Sequence, residues 1–226
     1  MTARIFTIAQ HKGGAGKTTL AAHLAASWTG DGKAVAMVDI DPQGSLSDWY
    51  RLRAEALSDR VERLHLSTIT GWRVYAEVEK LAQDFDVVVI DSPPHAETDA
   101  RVAIRLASLV IVPVQPSPLD LWATRPTIDL ARQEKVSVQI VLNRVPARAR
   151  LTDEMVGEIA KLGPIARTRI GNRTAFAATL AAGVSVTDSP FADEPWCVMA
   201  AQEISALSRE ILRKPVVARI SSVVAA

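Results

Sequence analysis

The amino-acid sequence predicts an α/β fold, in which a doubly wound and mostly parallel sheet is flanked by helices on both faces. Short apolar runs rich in Val and Ile alternate with longer Ala- and Leu-rich segments along the chain. This alternation is typical of parallel strands that are joined by crossover helices. Two of the runs, 87–90 and 109–112, are apolar at every position, which indicates strands covered by helices on both sides.

Strands are predicted where runs are enriched in apolar and β-branched residues. In chain order these runs are 5–10, 34–39, 64–67, 86–91, 109–114 and 136–142. Helices are predicted where longer segments favour helical periodicity, at 18–29, 47–57, 72–84, 97–107, 119–134, 152–161, 174–182 and 196–213. No repeat, low-complexity tract or linker interrupts this order, so we predict one domain over residues 1–226, in which about 215–226 form a flexible tail.

The composition is typical of a globular protein of the cytoplasm. The chain has 226 residues, a net charge of +1 and one cysteine, Cys197, which excludes internal disulfides and multi-cysteine metal sites within one chain. The first apolar run is short and leads directly into a glycine-rich loop, unlike a signal peptide. Every apolar stretch is shorter than the roughly 18–20 residues of a membrane span. We therefore expect a cytoplasmic protein.

The glycine-rich loop lies between the first predicted strand and the first predicted helix. Residues 11–19 read His-Lys-Gly-Gly-Ala-Gly-Lys-Thr-Thr, and this is the context that a phosphate-binding P-loop requires. Loop N–H groups and the positive end of the helix would cradle phosphate oxygens. We predict that Lys17 binds the β- and γ-phosphates and that Thr18 binds Mg²⁺. The predicted nucleotide-binding residues of this loop are Lys12, Gly13, Gly14, Ala15, Gly16, Lys17, Thr18 and Thr19.

Polar residues also follow three later strands. Asp39 and Asp41 end one strand, Asp91 ends another, and Asn143 and Arg144 follow the last. Ligands of such sheets bind at the carboxyl ends of the strands, so we expect these residues to lie near the loop. Asp91 suits a Mg²⁺ site reached partly through water, and one of the paired acids could orient a water toward the γ-phosphate. Each residue alone is better explained as a cap or turn residue, but their order at successive strand ends favours a site.

Three runs together resemble the deviant-Walker ATPases of the ParA/MinD group. They are Gln-His-Lys-Gly-Gly-Ala-Gly-Lys-Thr-Thr at 10–19, Asp-Ile-Asp-Pro-Gln-Gly at 39–44 and Val-Val-Val-Ile-Asp-Ser-Pro-Pro at 87–94. The runs 113–121 and 173–183 are also ParA-like, so the resemblance covers roughly residues 4–190. It points to the small, Soj-like ParA partition ATPases, which lack an N-terminal helix-turn-helix domain.

The resemblance implies a role for each of these residues. Lys12, which the ordinary P-loop lacks, would reach across a dimer interface and stabilise the phosphoryl group held by the other subunit. Asp41 would position the attacking water, Asp39 and Asp91 would support Mg²⁺, and Asn143 would contact adenine. ATP is favoured over GTP, because a proline stands three residues after this asparagine, where a guanine site would carry an acid.

The resemblance also implies a slow ATPase for DNA segregation or for positioning an intracellular cargo. The ATP-bound homodimer would bind DNA without sequence preference and be nucleoid-associated, and a ParB-like or adaptor partner would stimulate hydrolysis and release it. A MinD-like membrane-cycling ATPase is the alternative, but Pro215 interrupts the tail and aromatic anchors are lacking, so no stable membrane association is expected. A redox enzyme of the same superfamily is weaker still, because Cys197 is far from every motif.

Two clusters of basic residues in the second half of the chain are candidates for DNA binding. Without the resemblance, a solvated helix face with one or two nucleotide contacts would be the better explanation for them. We favour Arg209, Arg213, Lys214 and Arg219. The other cluster comprises Arg144, Arg148, Arg150, Lys161, Arg167, Arg169 and Arg173, some of which could face nucleotide instead. The helices at 97–107 and 119–134 are the candidate adaptor surface, with Arg101, Arg105, Trp122 and Arg125 as candidate exposed residues, although we expect Trp122 to be packed in the interior.

Overall fold

The computed structural model describes residues 3–57, 63–94, 97–146 and 150–215. The strands are β1 (Arg4–Ile8), β2 (Val35–Asp39), β3 (Leu64–Thr68), β4 (Val87–Asp91), β5 (Leu109–Val114) and β6 (Val138–Leu142). The helices are α1 (Lys17–Gly30), α2 (Ser45–Leu57), α3 (Val74–Asp84), α4 (Glu97–Leu106), α5 (Pro118–Gln133), α6 (Arg150–Ala160), α7 (Thr174–Ala181) and α8 (Val198–Leu212). Each of them overlaps an element that the sequence predicts.

The strands form one parallel sheet in the order β3-β2-β4-β1-β5-β6. The chain moves from the central strand β1 to β2 and β3 on one side, then returns through β4 and passes to β5 and β6 on the other. This confirms the predicted doubly wound, parallel sheet. Because the strands are parallel, their carboxyl ends all lie at one end of the sheet, where such folds bind ligands.

Helices cover both faces of the sheet. α1, α2, α7 and α8 pack on one face, and α3, α4, α5 and α6 pack on the other. In β1, Phe6 is buried toward the first group and Ile5 toward the second, which explains why the strands are apolar at nearly every position. The predicted site residues Asp39, Asp91 and Asn143 accordingly lie at or just after the ends of strands. No helix in the described ranges is both long and apolar enough to cross a bilayer.

Trp122 of α5 is not in the interior, so the prediction that it is packed there is wrong. Its side chain is 62% exposed, whereas Leu121 beside it is buried against the sheet. Successive residues of a helix point about 100° apart, so neighbours can face core and solvent. An apolar residue type does not by itself show which side of the helix it occupies.

The predicted helix at 72–84 starts slightly later than expected. Gly71–Arg73 form a short 3-10 turn, and α3 begins at Val74. Gly71 adopts a positive φ of 67°, which favours glycine because it lacks a Cβ. Trp72 in this turn is 86% exposed. An exposed tryptophan therefore lies just beyond the edge strand β3.

His23 is buried in α1 and is held as a neutral ring. Its Nδ1 lies 3.0 Å from the Ser185 hydroxyl and accepts a hydrogen bond from the Val186 N–H at 3.4 Å. Nε2 therefore carries the proton, and it faces the Phe176 carbonyl at 3.3 Å. Burial lowers the pKa of His23 to about 4.

We expect the His23 contribution to the free energy of unfolding to fall as the pH decreases from 6.5 toward 4, a change that the raised pKa of the buried Asp91 opposes. In this window the unfolded chain binds a proton at His23, whose ordinary pKa is 6.5, and the folded chain does not. The His23 contribution over the whole window is about 3 kcal/mol. An NMR titration of the folded protein checks the cause, because it measures the midpoint of His23 directly. A His23 midpoint close to pH 6.5 would contradict this explanation.

Candidate functional site

Polar side chains from several parts of the fold meet at the carboxyl end of the sheet. The loop after β1, the turns after β2 and β4, and Arg144 after β6 line a cleft of about 520 Å³. This volume is typical of small-molecule sites. Most of the predicted loop residues line it, namely Gly13, Gly14, Gly16, Lys17, Thr18 and Thr19, while Ala15 is buried behind them. The structure thus brings the predicted phosphate loop to one side of a ligand-sized cleft.

The loop before α1 requires glycine at two positions. Gly14 and Gly16 have φ values of +75° and +92°, which side chains with a Cβ rarely adopt. A Cβ at Gly16 would also lie 2.4 Å from the amide nitrogen of Asn143. That nitrogen donates to the Ala15 carbonyl at 2.8 Å. A buried side chain after β6 therefore fixes the loop after β1 and leaves its other side open to the cleft.

Lys17 and Thr18 line the cleft, and Asp91 lies buried behind Thr18. The Thr18 hydroxyl donates to Asp91 Oδ2 at 2.6 Å, and Asp91 is buried at the end of β4. Burial raises the pKa of Asp91 to about 7, while the Thr18 hydrogen bond acts in the opposite direction. Burial also lowers the pKa of the Lys17 ammonium, which Asp91 and Asp41 partly offset. The Asp91 carboxyl and the Lys17 ammonium are thus poorly hydrated, so a bound metal ion or phosphate can interact with them directly.

The same side chains fit Mg²⁺ beside a phosphate. Asp91 Oδ1 is buried and accepts no hydrogen bond from any described residue. A hydroxyl and a carboxylate are the hard oxygen ligands that Mg²⁺ prefers, and the ion keeps several waters when the protein supplies only one or two. Thr18 and Asp91 are therefore positioned to hold this metal, and that role stays a prediction.

Asp39 and Asp41 have different environments although they are two residues apart. Asp39 is buried, with one oxygen accepting from the Asp41 N–H at 3.1 Å and the other from the N–H and hydroxyl of Ser47 at 3.1 and 2.8 Å. Asp41 lines the cleft and accepts from the Gln43 N–H at 3.0 Å. Asp39 thus orients the turn that presents Asp41. The predicted support of Mg²⁺ by Asp39 stays a prediction.

Lys12 forms an ion pair with Asp120 of α5, a residue that the sequence did not single out. Its Nζ lies 2.8 Å from Asp120 Oδ2, which also accepts from the Ser117 hydroxyl at 2.5 Å. Asp120 is 2% exposed, but the Lys12 side chain is 36% exposed. In the sequence, Asp120 three residues after Ser117 indicates only the capped start of a helix. The ion pair gives an accessible lysine a fixed position within the single chain.

Asn143 and Arg144 separate the cleft from a second cavity of about 290 Å³. The exposed Arg144 lines both spaces and has a positive φ of 51°. The second cavity is also lined by Phe176 of α7 and Ile204 of α8. An apolar cavity beside a phosphate loop suits the base of a nucleotide. The predicted contact of Asn143 with adenine stays a prediction, since its amide already holds the loop.

The favoured basic residues that the structure describes lie in the last turn of α8 and directly after it. Arg209, Arg213 and Lys214 line a groove of about 500 Å³ together with Arg167. The one acid of this groove, Glu210, accepts hydrogen bonds from the N–H groups of Arg167 and Thr168 at 2.8 and 3.0 Å. The groove is therefore predominantly cationic. Arg219 and Arg148, also candidates, lie outside the described residues.

Arg4 shows where this groove lies relative to the cleft. Its guanidinium donates to the Leu212 carbonyl and, at 3.2 and 2.6 Å, to the carbonyls of Ile211 and Lys214. Arg4 begins β1, and the glycine-rich loop follows the other end of that strand. The basic groove and the cleft therefore lie toward opposite ends of the sheet. Sequence reasoning missed Arg4, because an arginine at the start of a strand has no distinguishing pattern.

Sequence comparison finds nucleotide-binding relatives. The family described as the CobQ/CobB/MinD/ParA nucleotide binding domain matches residues 6–214. The chain is 34% identical over 190 residues to the maintenance of carboxysome distribution protein A of Halothiobacillus neapolitanus, with 79% of this chain and 84% of that protein covered. It is 28% identical over 198 residues to the chromosome partitioning protein ParA of Myxococcus xanthus, with 69% and 70% covered.

Solved structures share the fold. A McdA variant from Cyanothece in complex with ATP has a TM-score of 0.75 at 16% identity, with 96% of this chain and 99% of that chain covered. MinD cell division protein in a MinC:MinD complex from Aquifex aeolicus has a TM-score of 0.75 at 20% identity, with 94% and 97% covered. At these identities the likeness is one of architecture.

Proposed function

Because the chain belongs to the CobQ/CobB/MinD/ParA nucleotide-binding family, we propose that it is an ATP-dependent, dimerising ATPase that segregates DNA or positions an intracellular cargo. Relatives named for carboxysome distribution and for chromosome partitioning support this proposal. The single observation that carries it is the position of Lys12. This lysine follows β1 in the phosphate loop, yet it is paired with Asp120 of α5.

The cleft supplies the groups that ATP hydrolysis requires. Lys17 and the loop N–H groups bind the phosphates, while Thr18 and Asp91 hold Mg²⁺. When bound, the metal neutralises charge on the β- and γ-phosphates. Asp41 faces the cleft and accepts a hydrogen bond from the attacking water, which orients it toward the γ-phosphate.

Lys12 completes the site of a second chain. It is partly exposed, so it can leave Asp120 without disrupting the core. When two chains meet with their loops facing each other, each Lys12 reaches the phosphates of the other, and the cation acts strongly because the interface excludes water. ATP binding and association are then thermodynamically linked. Turnover by the single chain is slow, because its Lys12 is held by Asp120.

The groove of Arg167, Arg209, Arg213 and Lys214 binds DNA in the ATP-bound dimer. Contacts from lysine and arginine to DNA phosphates are independent of sequence and weaken with salt. The groove lies toward the opposite end of the sheet from the cleft, so it stays open when two chains meet at their loops. A ParB-like or adaptor protein stimulates hydrolysis and thereby releases the dimer from DNA. The protein is cytoplasmic, and it is associated with the nucleoid while ATP is bound.

Alanine at Arg209, Arg213 and Lys214 together is expected to weaken DNA binding at least about tenfold and to reduce its salt dependence. Fluorescence anisotropy with labelled duplex tests this at several salt concentrations, with ATP and Mg²⁺ or with ADP. Unchanged ATP turnover without DNA shows that the variant is folded.

Three exposed cations on other elements provide the matched control: Arg51, Arg73 and Lys80. Their replacement by alanine removes the same charge and is expected to have a much smaller effect. Equal binding by the first variant and the unmodified chain would rule out this groove. Equal binding with ATP and ADP would rule out the nucleotide-controlled cycle. The tail that a membrane-cycling ATPase would use, 216–226, lies outside the described residues, and no described feature favours that alternative.

A further inference from the structure

The carboxylate of Glu210 lies inside the basic groove, where it accepts three hydrogen bonds from uncharged donors. One oxygen accepts from the Arg167 N–H at 2.8 Å, and the other accepts from the N–H and the hydroxyl of Thr168, both at 3.0 Å. The other cations that line the groove are Arg209, Arg213 and Lys214. Backbone N–H groups, hydroxyls and basic side chains are the donors that proteins direct at the phosphates of nucleic acids. A side chain of the protein itself therefore occupies a site with the chemistry of a phosphate-binding site.

Glu210 is held in this site as an anion. Burial raises the pKa of its carboxyl, but the hydrogen bonds from Arg167 and Thr168 and the charge of Lys214 outweigh burial and lower the pKa below its ordinary value of 4.5. Like a carboxylate, a phosphodiester is an anion that presents two oxygens to hydrogen-bond donors. The donors of the groove are thus arranged for an anion of this shape.

The backbone that supplies these donors is attached to the sheet without Glu210. Ala166 and Ile170, on either side of the two donor residues, donate their N–H groups to carbonyls of β6 at 2.7 and 2.9 Å. The two N–H groups between them donate to Glu210 instead. If the Glu210 side chain turned away, the segment would stay in place and its donors would be free to bind another anion.

The end of α8 is also compatible with a bound phosphate. The last carbonyls of a helix carry partial negative charge, which disfavours an anion nearby. Arg4 donates to three of these carbonyls, those of Ile211, Leu212 and Lys214. A buried cation therefore compensates the negative end of the helix next to the groove.

We propose that the N–H groups of Arg167 and Thr168 and the Thr168 hydroxyl form a site for a backbone phosphate of DNA, and that Glu210 blocks this site until a phosphate displaces it. The inference rests on the proposed function, because it takes the basic groove to be the DNA-binding surface. Glu210 is half-buried and its side chain is long, so it can turn to solvent without opening the core. It is thus a built-in competitor that lowers the affinity of the groove for DNA.

Two substitutions of Glu210 separate the blocked site from a simple effect of charge. Glu210→Ala empties the site, whereas Glu210→Gln removes the same charge but keeps a side chain whose amide oxygen can accept the hydrogen bonds. We expect Glu210→Ala to bind duplex about 5- to 10-fold more tightly than Glu210→Gln, because hydrogen bonds to a charged phosphate are added. Fluorescence anisotropy with labelled duplex, ATP and Mg²⁺ measures both dissociation constants, and circular dichroism melts show that both variants are folded.

The Thr168 hydroxyl provides a second readout. In the presence of Glu210, we expect Thr168→Val to change the affinity for duplex by less than about twofold, because it removes a contact of the competitor as well as one of the phosphate. In the Glu210→Ala background the hydroxyl contacts the phosphate alone. There we expect Thr168→Val to weaken binding by about 3- to 10-fold.

The outcomes separate this inference from the function on which it rests. Glu210→Ala that binds duplex no more tightly than Glu210→Gln, or an equal effect of Thr168→Val in both backgrounds, overturns the inference alone. Calorimetry with inorganic phosphate tests the other source of the ligand. If Glu210→Ala bound inorganic phosphate without the gain in affinity for duplex, the site would serve a free anion and its assignment to DNA would be wrong. An unmodified chain that does not bind duplex with ATP overturns both the inference and the proposed binding of DNA.

Discussion

A chain with Lys12→Ala is expected to lose ATP-dependent dimerisation and at least about 100-fold of its ATP turnover. Removing one group that stabilises the transferring phosphoryl group typically costs a factor of roughly 10² to 10⁵ in rate. In the single chain this lysine is bound to Asp120 at 2.8 Å, so we expect monomeric ATP binding to weaken by less than about tenfold, well short of the loss in rate. Sedimentation velocity and nucleotide titration measure the two effects separately.

Two further variants make this result specific. Lys17→Ala removes the buried lysine of the cleft and is expected to abolish ATP binding itself. Asp120→Asn keeps Lys12 but removes the charge that holds it, so this variant is expected to dimerise with ATP. If Lys12→Ala lost ATP binding and dimerisation to the same degree, the lysine would act within its own chain.

Asp41→Ala is expected to trap an ATP-bound dimer that stays on DNA. Asp41 faces the cleft, whereas both oxygens of the neighbouring Asp39 are already engaged by the turn. Asp39 is therefore not free to replace it as the group that orients water. Loss of such a group lowers the rate by a factor of roughly 10² to 10⁴, while the contacts of Lys17 and the loop with ATP remain.

The release of labelled DNA after a chase with excess ADP measures this trapping. The unmodified dimer is expected to release DNA as it hydrolyses ATP, and the variant to retain it. Asp48→Ala is the matched control, because Asp48 is an exposed carboxylate that lines the same cleft. Because Asp48 has no role as a general base, we expect the turnover of Asp48→Ala to stay within about threefold of that of the unmodified chain. Rapid turnover by Asp41→Ala would exclude Asp41 as the water-positioning residue.

The fold and the cleft were predictable because their signals are local in the sequence. The parallel strands are apolar on both faces, and each motif directly follows its strand, so the order of motifs places them at one end of the sheet. The need for glycine at position 16 also has a local signal in the glycine-rich motif. A second reason for it is not local, because a Cβ at this position would lie 2.4 Å from the amide nitrogen of Asn143, far along the chain.

The missed residues act through distant contacts. Lys12 and Asp120 are 108 positions apart, and Arg4 binds a carbonyl 208 positions away. Neither pairing alters the composition or periodicity of its own segment, so a single sequence does not reveal it. Trp122 was misplaced for a related reason. α5 carries apolar residues on both its buried and its exposed side, and residue type alone does not distinguish them.

The strand β1 has one further consequence for a dimer. It begins at Arg4, which binds the end of α8, and it ends at the glycine-rich loop. In the proposed dimer, two chains joined at their loops would therefore carry their basic grooves on opposite outer surfaces. If the grooves bind DNA as proposed, each would be free to hold a separate duplex, so one dimer would have the geometry of a bridge between two DNA segments. On this proposal, many such dimers would link distant DNA segments and compact the DNA, in addition to coating it.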